Sequence, residues 1–143
     1  MTAENTNTTP DRETQRPKVV CLCGSTRFYK EFQRANYEES MKGHIVLSVG
    51  FYMHASEEAH GEKWGCTPAQ KRMLDAVYLK KIEMADEVLV LDVHGYIGES
   101  TRSEINHAES LGKRIRYLSQ ETIATLRSLK ARDASTSTLW EQP

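Results

Sequence analysis

The sequence predicts a small doubly wound α/β domain, a Rossmann-like parallel sheet of four to five strands with helices on both faces. Three observations predict it. Short apolar runs alternate with segments of helical periodicity. Two of those runs, at 18–23 and 88–91, break into turns rich in glycine and hydroxyl residues. Each such turn then opens a helix. Strands and helices in this order build right-handed parallel βαβ units. Sheets of that kind hold ligands beyond the carboxyl ends of their strands, near the point where strand order reverses. Both turns are therefore expected to face one shared cleft.

The first strand is Lys18, Val19, Val20, Cys21, Leu22 and Cys23. Gly24 permits a tight turn, and Ser25 and Thr26 supply hydroxyls and helix-capping chemistry. Arg27 adds a two-pronged donor suited to phosphate or carboxylate. Phe28, Phe32 and Ala35 mark the face of a helix over 28–41, with Gly43 as its stop. A second strand follows at 44–49. Residues 50–66 form a long irregular connection carrying aromatic residues, His54, His60 and several glutamates. A connection of that length in a small domain reads as a lid or binding loop. Thr67 caps the next helix and Pro68 opens it; it runs through Met73, Val77 and Ile82 to about 84. Residues 87–91 are the third strand, 100–111 a helix closed by Gly112, 114–118 the fourth strand and 120–130 the final helix.

The 143 residues suit a single domain. Residues 1–17 are polar without apolar periodicity, and 131–143 are rich in Ser and Thr around an isolated Trp140. Both read as tails, disordered at the amino end and flexible at the other, leaving 18–130 as the folded part. A net charge of −1 from 19 basic and 20 acidic residues leaves no basic stripe for long nucleic acid. No apolar run is long enough for a membrane span, and the amino end lacks a signal peptide's apolar segment. Three cysteines are too few for a disulfide scaffold. Cys21 and Cys23 read as packed thiols in a reducing cytoplasm.

The second turn carries the chemistry. Gly98, Glu99, Ser100, Thr101, Arg102, Ser103 and Glu104 follow an apolar strand and open a helix. The first N–H groups of a helix have no internal partners and favour an anion. Glu104 stands beside them, either as a reactive carboxylate or as the acidic member of a capping box. Ser100 serves equally as cap or phosphate contact, and Arg102 as phosphate ligand or solvated charge. Asp75 and Tyr78 share one helix face and reach the cleft if that face leads there; Tyr78 also reads as a packing residue. Asp92 ends the third strand, facing a ligand or closing a turn. His54, His60 and Cys66 have no zinc-like spacing, so no metal is expected.

The run from Gly24 to Phe28, the pair Ala85–Asp86 before a strand, and the run from Gly98 to Glu104 followed by Ala108, Gly112 and Lys113 resemble the nucleoside 2-deoxyribosyltransferase-like superfamily, across roughly 18–118. That superfamily includes nucleoside 5′-monophosphate N-glycosidases. The resemblance implies a nucleotide or nucleoside substrate and no cofactor. It puts Glu104 in the nucleophile's place, attacking the anomeric carbon as in a retaining glycosidase. It implies a phosphate held by Gly24, Ser25, Thr26, Arg27 and Ser100. Members tend to form homodimers or higher homo-oligomers in which a neighbour completes the site. The chain departs from the pattern twice. Tyr78 stands where many members carry a carboxylic proton donor, leaving Asp75 one turn away, and Gly98 stands where deoxyribosyltransferases tend to carry an aspartate. The expected activity is hydrolysis, or base transfer, at an N-glycosidic bond. The alternative is a nucleotide-binding or sensing domain of the same fold without turnover.

Overall fold

A computed structural model describes the backbone of residues 16–140 and the side chains of residues 16–133. The tail expected at 1–17 lies outside the described residues, apart from Arg16 and Pro17. Among the described residues, four strands form one all-parallel sheet: β1 (Val19–Cys23), β2 (Ile45–Leu47), β3 (Glu87–Val90) and β4 (Arg114–Tyr117). Their order is β2-β1-β3-β4. The chain leaves β1 for one edge, returns across it, and continues to the other edge, so strand order reverses between β1 and β3. The domain is doubly wound, as its alternating pattern predicted.

Among the described residues, five α-helices accompany the sheet: α1 (Tyr29–Met41), α2 (Ser56–His60), α3 (Pro68–Met84), α4 (Glu99–Ser110) and α5 (Leu118–Trp140). Alternate side chains on β1 and β3 point to opposite faces. Val20, Leu22, Leu89 and Leu91 pack with Phe32 and Ala35 of α1 and with Leu118 at the start of α5. Cys21, Cys23, Val88 and Val90 pack with Tyr78 and Ile82 of α3 and Ile105 and Ala108 of α4. Helices thus cover both faces, and the central strands are buried almost throughout, as parallel strands require.

Local chemistry explains the helix ends. Thr67 Oγ1 accepts from the Gln70 backbone N–H at 3.1 Å, and Gln70 Oε1 accepts from the Thr67 N–H at 2.9 Å. This is a complete capping box, with Pro68 next to it. Gly43 takes φ +85 just beyond α1, where a side chain would be strained.

Toward the amino ends of the strands, charge replaces apolar packing. Buried Glu39 of α1 meets Arg116 of β4 at 2.7 Å, Lys42 at 2.9 Å and His44 at 2.9 Å. Arg116 also pairs with buried Glu87 at 2.6 Å and with Glu121 at 3.1 Å. Burial pushes the Glu39 carboxyl up, but its hydrogen bonds from Arg116, Lys42 and His44 outweigh this and hold it at about 2. A buried charge with several donors is the arrangement in which ionisation survives desolvation.

Three stretches differ from expectation. The second strand is shorter than 44–49. Residues 50–66 are not wholly irregular, since a 3₁₀ turn (Met53–Ala55) and α2 interrupt them. The last helix begins at Leu118 and runs to Trp140, through residues expected as a flexible tail. Extending a formed helix is far easier than nucleating one, so the Ser/Thr-rich stretch continues what 118–130 begin.

Candidate active site

The turns after β1 and β3 do share a cleft. A cavity of about 420 Å³ opens there, lined by Ser25, Thr26 and Arg27 of the first turn and by Gly98, Ser100, Thr101 and Glu104 of the second. Residues of α3 and of the 50–66 connection close it. Gly24 packs closely against the chain at Leu91. A β-carbon there would lie 3.1 Å from Leu91 Cβ and 3.2 Å from the Leu91 carbonyl oxygen. The Leu91 N–H continues the sheet by donating to Cys23 O at 2.7 Å, which fixes the two turns relative to each other.

Glu104 projects from the second turn of α4 onto this cavity. Its Oε2 is buried and has no hydrogen-bond partner among the described residues. Burial raises the carboxyl to about 7, a contact with the Cys23 thiol draws it down, nearby Asp75 raises it and Lys71 lowers it. A carboxylate titrating near neutrality in a cleft is a candidate reactive group.

The phosphate-type turn is built by its own side chains. Ser25 Oγ accepts from Arg27 N at 3.3 Å and Arg27 Nε at 3.1 Å. The Arg27 guanidinium lies 4.6 Å from the centre of the Tyr96 ring, a cation–π contact that orients it. After the second turn, α4 starts at Gly98 without a side-chain cap among the described residues, so its first N–H groups remain available to an anion. Ser100 Oγ accepts from Lys71 Nζ at 3.2 Å, and Lys71 also pairs with Asp75 at 2.7 Å.

Of the residues singled out in the sequence, Gly24, Ser25, Thr26, Arg27, Asp75, Tyr78, Gly98, Ser100 and Glu104 all line the cavity. Two do not. Asp92 is buried, and its carboxylate accepts from Ser119 N at 2.9 Å and Ser119 Oγ at 2.6 Å. It closes the first turn of α5 rather than facing a ligand. Arg102 is exposed on the outer side of α4 and is not among the cavity's walls. Tyr78 lines the cavity with its hydroxyl committed, donating to the Leu22 carbonyl. Burial first, then the neighbouring Cys21, Cys23 and Glu104, pushes its pKa well above the ordinary phenol range. That suits a wall better than a proton donor.

Sequence reasoning did not single out Lys71, Glu99, Tyr96 or Lys81, which also line the cavity. Lys71 carried a local signal, its i,i+4 spacing to Asp75. His54 was weighed only as a metal ligand. Its ring nitrogen Nδ1 instead lies 2.7 Å from Thr26 Oγ1, and its backbone N–H donates to the same oxygen at 3.2 Å. This ties the 50–66 connection to the first turn. His60 accepts from Tyr52 N at 2.9 Å and stacks on Trp64 at 3.9 Å. Among the described residues no group of three or more His, Cys, Asp or Glu side chains is arranged to hold a metal ion, and no helix is long and apolar enough to cross a membrane.

The fold and cleft define a doubly wound α/β domain in which two hydroxyl-rich turns meet at a cavity lined also by the carboxylates of Asp75, Glu99 and Glu104. No protein-family model matches the chain, and no curated protein or solved structure does either.

Proposed function

We propose that this chain cleaves the N-glycosidic bond of a nucleoside 5′-monophosphate, or of a nucleoside, with Glu104 as nucleophile. One observation carries the reading. Glu104 presents a carboxylate with an unpartnered buried oxygen to a cavity that the Ser25–Thr26–Arg27 turn also lines. An anion gripped by that turn leaves its pentose extending toward the acid. Arg27, Lys71, Ser100 and the free N–H groups of α4 supply donors of the kind a phosphate needs.

The chemistry follows that of a retaining glycosidase. A Glu104 oxygen attacks C1′ while the C1′–N bond breaks, and the bonding pair leaves on the base nitrogen. The base takes a proton from solvent or from Asp75, which also lines the cavity. Water then attacks C1′ of the glycosyl ester, the C1′–O bond to Glu104 breaks, and the carboxylate is regenerated as the water's proton returns to solvent or Asp75. The positive charge that develops on the sugar falls beside Glu104. Val49, Phe51, Met53, Leu74 and Val77 give the rest of the cavity an apolar surface suited to a flat base.

The test is direct. Incubation with a panel of ribo- and deoxyribonucleotides and nucleosides, followed by chromatography, should show free base, and Glu104→Ala should abolish it. Tight binding without release, indifferent to Glu104→Gln, would replace this reading with the sensing domain.

A further inference from the structure

The 50–66 connection is drawn together where the Tyr52 N–H donates to His60 Nε2 at 2.9 Å. A backbone amide only donates, so Nε2 is bare and the neutral ring carries its proton on Nδ1. The same imidazole stacks on two rings, Tyr52 with centres 5.7 Å apart and Trp64 with centres 3.9 Å apart, each at 10°. Trp64 is fastened separately, its N–H donating to the buried Ser56 Oγ at 3.0 Å. Phe51, Met53 and His54, next to Tyr52, line the cavity, and the His54 N–H donates to Thr26 Oγ1 of the first turn at 3.2 Å.

The groups bearing on His60 come from three places. Its own helix carries exposed Glu57 and Glu58. Trp64 follows exposed Glu62 and Lys63, and Glu62 Oε1 accepts from the indole Nε1 at 2.8 Å. Helix α1 sets Tyr29 and Phe32 against the Tyr52 ring, with Lys30 over Tyr29. Burial pushes the Tyr52 phenol up, so it stays uncharged where histidines titrate.

We propose that His60 is a proton-operated latch on this part of the cavity lining. A proton on Nε2 and the Tyr52 N–H compete for one lone pair, so protonation expels the amide and frees the 51–54 segment. The imidazolium itself stays, because aromatic faces hold cations. The latch thus has two arrangements: closed on the Tyr52 N–H when the ring is neutral, and held by its ring stack when charged. Acid opens it. The device is independent of the reaction the cavity performs.

The experiment follows amide hydrogen exchange by NMR in the full chain, at about pH 5.5 and about pH 8, corrected for the intrinsic rate. The Leu91 N–H, bonded to Cys23 O, reports global opening. Relative to Leu91, protection of Tyr52 and His54 should be about five- to tenfold lower at the acid pH, as loss of one hydrogen bond implies. His60→Gln sets a non-titrating carbonyl oxygen near the reach of Nε2 and should keep both amides protected at both pH values. His60→Phe keeps a ring without an acceptor and should leave both unprotected at both. Should either variant fail to fold, the unaltered protein still decides, because the Tyr52 amide nitrogen shift should follow the His60 ring titration with one midpoint. An amide shift that ignores that titration, equal Tyr52 protection at the two pH values, a loss that stops at Tyr52, or a loss at His54 that persists in His60→Gln overturns the latch.

Discussion

Lys71 Nζ lies 3.2 Å from Ser100 Oγ, joining α3 to the first turn of α4 at the mouth of the cavity. The same ammonium holds Asp75 at 2.7 Å. One lysine thus connects the candidate anion site, the candidate proton relay and, by its charge, the Glu104 carboxyl.

Lys71→Ala should weaken binding of a nucleoside monophosphate by about tenfold, as expected for loss of one charge-assisted hydrogen bond to phosphate. It should also move the Glu104 titration upward, since Lys71 lowers that carboxyl. Isothermal titration with the monophosphate and with the uncharged nucleoside separates the effects. An equal loss for both ligands would deny Lys71 a phosphate contact.

Glu104→Gln should stabilise the protein at alkaline pH while removing activity. The folded-state value of about 7 lies above the ordinary 4.5, so the folded chain binds the proton more tightly than the unfolded one. Stability therefore falls as pH rises from about 4.5 through 7. At pH 8 the variant should be more stable by about 1–3 kcal/mol, and near pH 4 the two proteins should be alike. Denaturant melts at both pH values check this; a variant that is weaker at pH 8 would contradict the burial argument.

The charged cluster around Glu39 predicts the opposite acid behaviour. Its carboxyl is held at about 2, below the ordinary 4.5. Its contribution is complete above about 4.5 and disappears as pH falls toward 2. Glu39→Gln should cost about 3 kcal/mol at pH 7 and flatten the loss of stability below pH 4.5. Chemical denaturation across that range gives the slope.

Gly24→Ala should destabilise the fold by about 1–3 kcal/mol, because the added methyl meets Leu91 Cβ at 3.1 Å and the Leu91 carbonyl at 3.2 Å. The turn would shift with it, weakening phosphate binding. Asp92→Ala makes an instructive contrast. It removes the acceptor for Ser119 and should cost about 0.5–2 kcal/mol of stability, with kcat/KM unchanged. A large kcat/KM loss in stable Asp92→Ala protein would return that carboxylate to the cleft.

Much of this architecture was legible because its causes are local. Val20 and Leu22 alternate with Cys21 and Cys23, and the two sets do face opposite layers. Thr67 and Pro68 mark the start of α3 where the capping box forms. Asp92 was ambiguous for an equally physical reason. A carboxylate at the end of a strand reads the same whether it meets a ligand or closes the next helix, and only the return of β4 beside β3 decides. The bonds of Lys71 to Ser100 and of His54 to Thr26 depend on how a long connection folds back, which no periodicity encodes. Trp140, judged part of a loose tail, instead ends a helix begun at Leu118.

The stack of His60 on Trp64, centres 3.9 Å apart, gives the protein an optical reporter. Indole emission responds to the ring packed against it, so Trp64 senses whether that stack is kept. Because that ring pair belongs to the same connection that His54 fastens to Thr26, any entrant that disturbs the fastening changes the spectrum without a dye or label.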